Sequence, residues 1–190
     1  MFRDDTIPYQ RYRAWQLAGR TVGIVGLGAV GRAAAWRFAG LGMHVISYDP
    51  FNPDATHDSV EALLVDADIV SMHAAVTPDT AQMMDAERFA AMRDGAVYVN
   101  TARAGLHDLD ALTGALQSGK LSAAALDHFD GEQLPVGHPL AAMDNVVLTP
   151  HIGGATYDTE ANHSMILATD IARLLRGETP LHCVNPEVLP

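Results

Sequence analysis

The stretch Thr21-Val-Gly-Ile-Val-Gly26-Leu-Gly28-Ala-Val-Gly31 decides the fold. Thr21–Gly26 is a short, continuous apolar run of the kind that forms a strand covered on both faces. Val30–Leu41, just beyond it, has the length and spacing of a helix. The three glycines between them suit a tight turn, a close approach to the backbone, and close packing of helix on strand. A helix that starts at such a turn offers free N–H groups and a partial positive charge to a phosphate.

Working outward, the same alternation continues along the chain. Strands are expected at His44–Asp49, Ile69–His73, Ala96–Asn100, Ser122–Asp127 and Val146–Thr149. Helices are expected near Ser59–Val65, Ala86–Met92, Leu109–Gln117 and Asp158–Arg176. Asp85 and Asp108 read as helix N-caps, and Gly42, Gly95 and Gly119 as stops. Alternation of this kind predicts an α/β fold: a Rossmann-type doubly wound parallel sheet in three αβα layers. Asp127–Asp144 breaks the rhythm as a long loop with two Pro and two Gly, a length that usually serves function. The expected organisation is a linker over residues 1–20, the nucleotide-binding domain over 21–157, and a closing helix and tail over 158–190. In the closing helix Met165, Ile166, Ala168, Ala172 and Leu175 share one side.

Composition narrows the function. The 190 residues carry 12 Lys+Arg against 23 Asp+Glu, a formal net charge of −11, with 48% hydrophobic and 18% charged residues. Such a chain is neither disordered nor fibrous, and its field repels polyanions, which argues against nucleic acid and anionic membrane. It leaves room for a small anion held in one local pocket. Cys183 is the sole cysteine, so no internal disulfide is possible and a reducing, cytoplasmic setting is expected. No uncharged apolar run reaches the roughly 18–20 residues that span a bilayer. The acidic, proline-bearing start does not read as a signal peptide.

The glycine turn becomes specific in context. Asp49 ends the second strand, 18 residues beyond Gly31 (49 − 31), where a carboxylate accepts both ribose hydroxyls of an adenosine and repels a 2′-phosphate. Asp49-Pro50-Phe51 supplies no arginine, so NAD is favoured over NADP. A flavin fingerprint usually opens a longer chain with further flavin-contacting segments, and a methyltransferase has less use for three glycines.

Three further stretches carry a resemblance. They are Asn100-Thr-Ala-Arg103-Ala-Gly-Leu-His-Asp108, Ala125-Leu-Asp127-His-Phe-Asp-Gly-Glu132, and Thr149-Pro-His151-Ile-Gly-Gly154. Together with the glycine turn they resemble the NAD-dependent D-isomer-specific 2-hydroxyacid dehydrogenases, over about Trp15 to Val188. The resemblance implies Arg103 as the anchor of a substrate carboxylate, a task suited to a guanidinium fork that never deprotonates. It implies His151 as the proton donor and acceptor, with Glu132 holding its second ring nitrogen. The implied cofactor contacts are Gly26, Gly28, Ala29, Val30 and Gly31 for the pyrophosphate and Asp49 for the ribose. Asp127 is implied for the nicotinamide amide, with Ala74, Thr101, Ala102, Gly153 and Gly154 lining the cleft. A small 2-hydroxy or 2-keto acid is the implied substrate, and a homodimer through this domain the implied assembly.

Other residues read more plainly. His107 and His128 stand beside motif residues where the family usually has apolar ones, and are expected to be environment rather than catalysts. The eight methionines read as core filler, and the histidines lack metal-ligand spacing, so no metal is expected. Departures from the family pattern are Ala75 after His73, Ala104 after the arginine, Gln133 after the glutamate, and a glycine turn whose nearest arginine is Arg32. The chain begins about twenty residues before the glycine turn, so the family's N-terminal substrate lobe is expected to be absent. Two readings follow: the NAD-binding domain of a dehydrogenase, or an NAD-binding and dimerisation module with little or no turnover.

Overall fold

The computed structural model describes residues 13–189. Residues 1–12 of the expected linker and Pro190 lie outside that range. Within it the chain divides into two compact units that meet in sequence at Pro150 and His151. The expected boundary lay further on, after residue 157.

The first unit is built on six strands: β1 (Thr21–Val25), β2 (His44–Tyr48), β3 (Ile69–Met72), β4 (Ala96–Asn100), β5 (Leu121–Leu126) and β6 (Val146–Leu148). They form one sheet in the order β2-β1-β3-β4-β5-β6, and every pair is parallel. The helices are α1 (Ala29–Gly40), α2 (Val60–Asp66), α3 (Ala86–Ala91) and α4 (Leu109–Gln117). Each element falls within a residue or two of its expected bounds. The expected caps form as well: the Asp85 carboxylate accepts from the Arg88 amide, and that of Asp108 from the amides of Asp110 and Ala111.

The layering follows from alternation along β1. Val22 and Ile24 are buried with Leu27 and Met43, against Ala35 and Phe38 of α1. Val25 belongs to the larger core with Leu63 and Leu64 of α2, Phe89 of α3 and Leu112 and Leu116 of α4. Thus α1 covers one face of the sheet and α2–α4 the other. That arrangement suits right-handed crossovers, because the path runs one way from β1 to β2 and the other way from β2 onward. The reversal puts the switch point between β1 and β3, whose carboxyl ends form the crevice where such sheets bind ligands.

Two glycines make the crevice possible. Gly26 has φ +95, and a Cβ on it would sit 2.5 Å from the Ala74 amide nitrogen at the end of β3. A Cβ on Gly31 would lie 2.0 Å from the Gly26 carbonyl oxygen, so α1 seats on β1 only because Gly31 has none.

The second unit contains α5 (Tyr157–Leu175) and the tail. The Thr156 hydroxyl caps α5 by accepting from the Thr159 amide at 3.0 Å. The Asp170 carboxylate accepts from the amides of Leu181 and His182, at 2.8 and 2.9 Å, and straps the tail along the helix. Those two bonds also hold the Asp170 carboxyl below its ordinary range.

Gly31→Ala is expected to cost about 1–3 kcal/mol in urea unfolding, the usual penalty of overpacking. Gly28 has φ −72 and no protein atom within 4 Å of a built Cβ. Gly28→Ala is therefore expected to change stability by less than about 0.5 kcal/mol.

Candidate functional site

The carboxyl ends of the central strands are tied to one another by backbone bonds. The Gly26 amide donates to the Tyr48 carbonyl at 2.9 Å, His73 to Val25 at 2.7 Å, and Asp127 to Asn100 at 3.1 Å. These bonds set the glycine turn, Ala74, the Thr101–Arg103 segment and Asp127 along one edge. A cavity of about 620 Å³ opens there, lined among others by Val30, Ala74, Thr101, Ala102, Arg103 and His128. Four expected cofactor residues and the expected carboxylate anchor thus share one pocket.

The glycine turn is braced by Asp49. One carboxylate oxygen accepts from the Leu27 amide at 2.8 Å and the other from the Phe51 amide at 2.9 Å. The Asn52 side chain then donates to the Leu27 carbonyl at 3.0 Å. Asp49 thereby acts as a scaffold for the turn, and each of its oxygens keeps a lone pair for a hydroxyl. The residues present fit a dinucleotide. No side chain caps the amides at the start of the 12-residue α1, the turn is kept bare at Gly28, and a carboxylate stands at the end of β2.

Arg103 is fixed through its backbone. Asn100 is buried, and its side-chain amide donates to the Arg103 carbonyl at 2.9 Å while its oxygen accepts from the Ala102 amide at 3.0 Å. The other Asn100 N–H lies 2.9 Å from His107 Nδ1. The Arg103 side chain is exposed and donates from Nη1 to the Ala102 carbonyl at 2.6 Å. Asp127 is buried and accepts from the Thr149 hydroxyl at 2.5 Å.

Glu132 lies on the loop after β5, exposed, with Oε1 at 3.4 Å from His128 Nε2. His151 opens the second unit and is also exposed, followed by Gly153 and Gly154 before α5. Among the described residues three non-glycines hold a left-handed φ: Gln82 at +50, Glu132 at +62 and His151 at +54. Two of the three are expected catalytic residues. Such backbone costs on the order of 1–3 kcal/mol and collects where side chains must be aimed.

Several residues of the pocket were not expected. His128 lines it, where environment was expected. Asn100 organises the arginine segment, and only its place at a strand end, three residues before the arginine, hinted at this. His107 matches the expected environmental role, buried edge-on to Tyr98 with ring centroids 5.6 Å apart. Burial pushes its imidazole down to about 4 and also lowers that of His73, whose Nε2 lies 2.9 Å from the Ser71 hydroxyl.

The family model described as D-isomer specific 2-hydroxyacid dehydrogenase, NAD binding domain, matches residues 2–153. The chain belongs to this family.

D-3-phosphoglycerate dehydrogenase of Methanocaldococcus jannaschii is 38% identical over 189 residues, covering 95% of this chain and 36% of that protein. Glyoxylate reductase of Thermofilum pendens is 38% identical over 182 residues, covering 92% of this chain and 54% of that protein. Among solved structures, D-lactate dehydrogenase with NAD+ from Lactobacillus jensenii superposes with a TM-score of 0.85 at 32% identity, covering 95% of this chain and 60% of that one. The chain spans between about a third and just over half the length of these curated relatives. It is the NAD-binding domain of the D-2-hydroxyacid dehydrogenase family. No helix among the described residues is long and apolar enough to cross a membrane.

The buried histidine makes stability depend on pH. His107 has a folded value near 4 against an ordinary 6.5, so the unfolded chain binds the extra proton between them. Its contribution is complete above about pH 6.5 and is lost as pH falls toward 4, with a slope of up to about 1.4 kcal/mol per pH unit. His73 acts in the same direction. Urea unfolding at pH 7 and pH 5 is expected to show this slope. In His107→Leu it is expected to be shallower.

Proposed function

We propose that this chain is the cofactor-binding part of an oxidoreductase that interconverts a small 2-hydroxy acid and the corresponding 2-keto acid with NAD(H). The observation that carries this reading is the shared pocket. Arg103, a cation suited to a carboxylate, lines the same cavity as Val30 of the glycine turn. That cavity also holds the expected nicotinamide-side residues Ala74, Thr101 and Ala102.

The chain's own residues divide the work. The Gly26–Gly31 turn and the first amides of α1 hold the pyrophosphate, and Asp49 takes the ribose hydroxyls and turns away a 2′-phosphate. Asp127 takes the nicotinamide amide. Arg103 receives the substrate carboxylate through paired N–H bonds and so orients the reacting carbon. A ring nitrogen of His151 accepts the hydroxyl proton during oxidation and returns it to the carbonyl oxygen during reduction. Glu132 is proposed as the acid partner of that ring. NAD, when bound, supplies the two-electron exchange with the substrate carbon.

The expected homodimer and cytoplasmic setting belong to the same proposal. The single cysteine fits a reducing compartment. Trp36 of α1 and Leu41 just after it expose apolar surface that a second copy would cover.

NADH fluorescence titration of the full chain is expected to give binding in the micromolar range or weaker, favoured over NADPH. Gly28→Ala is expected to weaken it at least about tenfold, in contrast to its small effect on stability. Arg103→Ala is expected to abolish turnover of glyoxylate or hydroxypyruvate and spare NADH binding. Loss of both would reject Arg103 as the anchor. In an enzyme with its substrate lobe, His151→Gln is expected to depress kcat far more than cofactor affinity. NADH binding with no turnover, even in a chain carrying that lobe, would favour a binding and dimerisation module.

A further inference from the structure

The inference concerns His128 and rests on the reading of Arg103 as the carboxylate anchor. Arg103 sits between two amides that must be satisfied as the chain leaves the sheet. The amide before it, Ala102, donates to the Asn100 side chain at 3.0 Å. The one after it, Ala104, donates to His128 Nδ1 at 3.3 Å. An Nδ1 that accepts carries no proton, so the neutral ring bears its hydrogen on Nε2. That nitrogen lies 3.4 Å from Glu132 Oε1. The His128 side chain is only 16% exposed, and it lines the cavity together with Arg103 and Ala104.

We propose that His128 is a positioning residue: as its Nε2–H tautomer it pins the turn after Arg103 to the end of β5 and ties that turn to Glu132. One planar ring then links the segment that carries the anchor to the loop that carries the expected acid. Rotation or loss of the ring breaks both contacts. The ring is not itself placed on the substrate. Its effect is felt as carboxylate affinity through Arg103.

The two ring nitrogens can be replaced separately. Asn places an oxygen near the Nδ1 position and keeps the acceptor for Ala104. Gln places its terminal amide near Nε2 and keeps a donor for Glu132. Val keeps neither. In the full chain at pH 7.5, nitrogen NMR is expected to show His128 Nδ1 unprotonated and Nε2 protonated. His128→Val is expected to speed Ala104 amide exchange and weaken oxamate binding to the NADH-loaded chain, each by about tenfold. NADH affinity is expected to stay unchanged. His128→Asn is expected to restore slow Ala104 exchange and most of the oxamate affinity, whereas His128→Gln restores neither.

A protonated Nδ1 in the wild type overturns the proposal, and so does unchanged exchange and affinity in His128→Val. Should the Val variant fail to fold, the wild-type tautomer and the Asn–Gln contrast decide the matter. Oxamate lost in Arg103→Lys but retained in His128→Val sinks this inference alone. Oxamate that is indifferent to Arg103→Lys, or unbound by the wild type, sinks the anchor reading and the role of His128 with it.

Discussion

The close contact between the Gly31 Cα and the Gly26 carbonyl is the constraint on which the rest of the first unit depends. It lets α1 lie against β1 and brings the amides at the start of α1 to the edge of the sheet. A methyl group there would drive α1 outward, because its nearest neighbour is a backbone oxygen and not a side chain that can swing away. The same turn is held from the other side by Asp49 and Asn52, which bond both the N–H and the C=O of Leu27. The turn is therefore braced before anything binds, which limits the ordering cost of a ligand there.

A second rigid point lies across the crevice. Asn100 spends both hydrogens of its amide and its oxygen on the segment that follows β4, and buried His107 accepts one of those hydrogens. Buried polar groups are costly unless fully engaged, so this cluster trades solvation for a defined backbone path at Arg103. Burial also keeps the His107 imidazole neutral, which suits an acceptor at Nδ1. The guanidinium itself stays exposed, on a backbone that is held.

Much of this was legible in the residues. Continuous apolar runs separated by helical stretches specify a parallel sheet, because strands covered on both faces need no polar alternation. Caps at Asp85 and Asp108 were readable for a local reason: a carboxylate before a helix finds unpaired amides one turn ahead. The glycine turn and Asp49 were readable because their spacing follows from one strand, one helix and one more strand. His128 was not, since nothing near it in the chain reveals that Ala104, 24 residues earlier, brings an amide to its ring. The bracing role of Asp49 was hidden in the same way: its bond to the Leu27 amide spans 22 residues. The left-handed backbone at Glu132 and His151 also escaped, because neither residue type demands it.

By itself, then, the sequence determined the elements, their order, the parallel sheet and the chemical character of the residues at its carboxyl edge. These follow from local propensity and periodicity, which act over a few residues. Only the tertiary structure decided which polar atoms meet. The bonds from Asn100 to the arginine segment, from Asp49 to the glycine turn, and from Ala104 to His128 depend on ångström-level approach between separate loops. Hydrogen bonds fall off steeply with distance and angle, and composition carries no record of either.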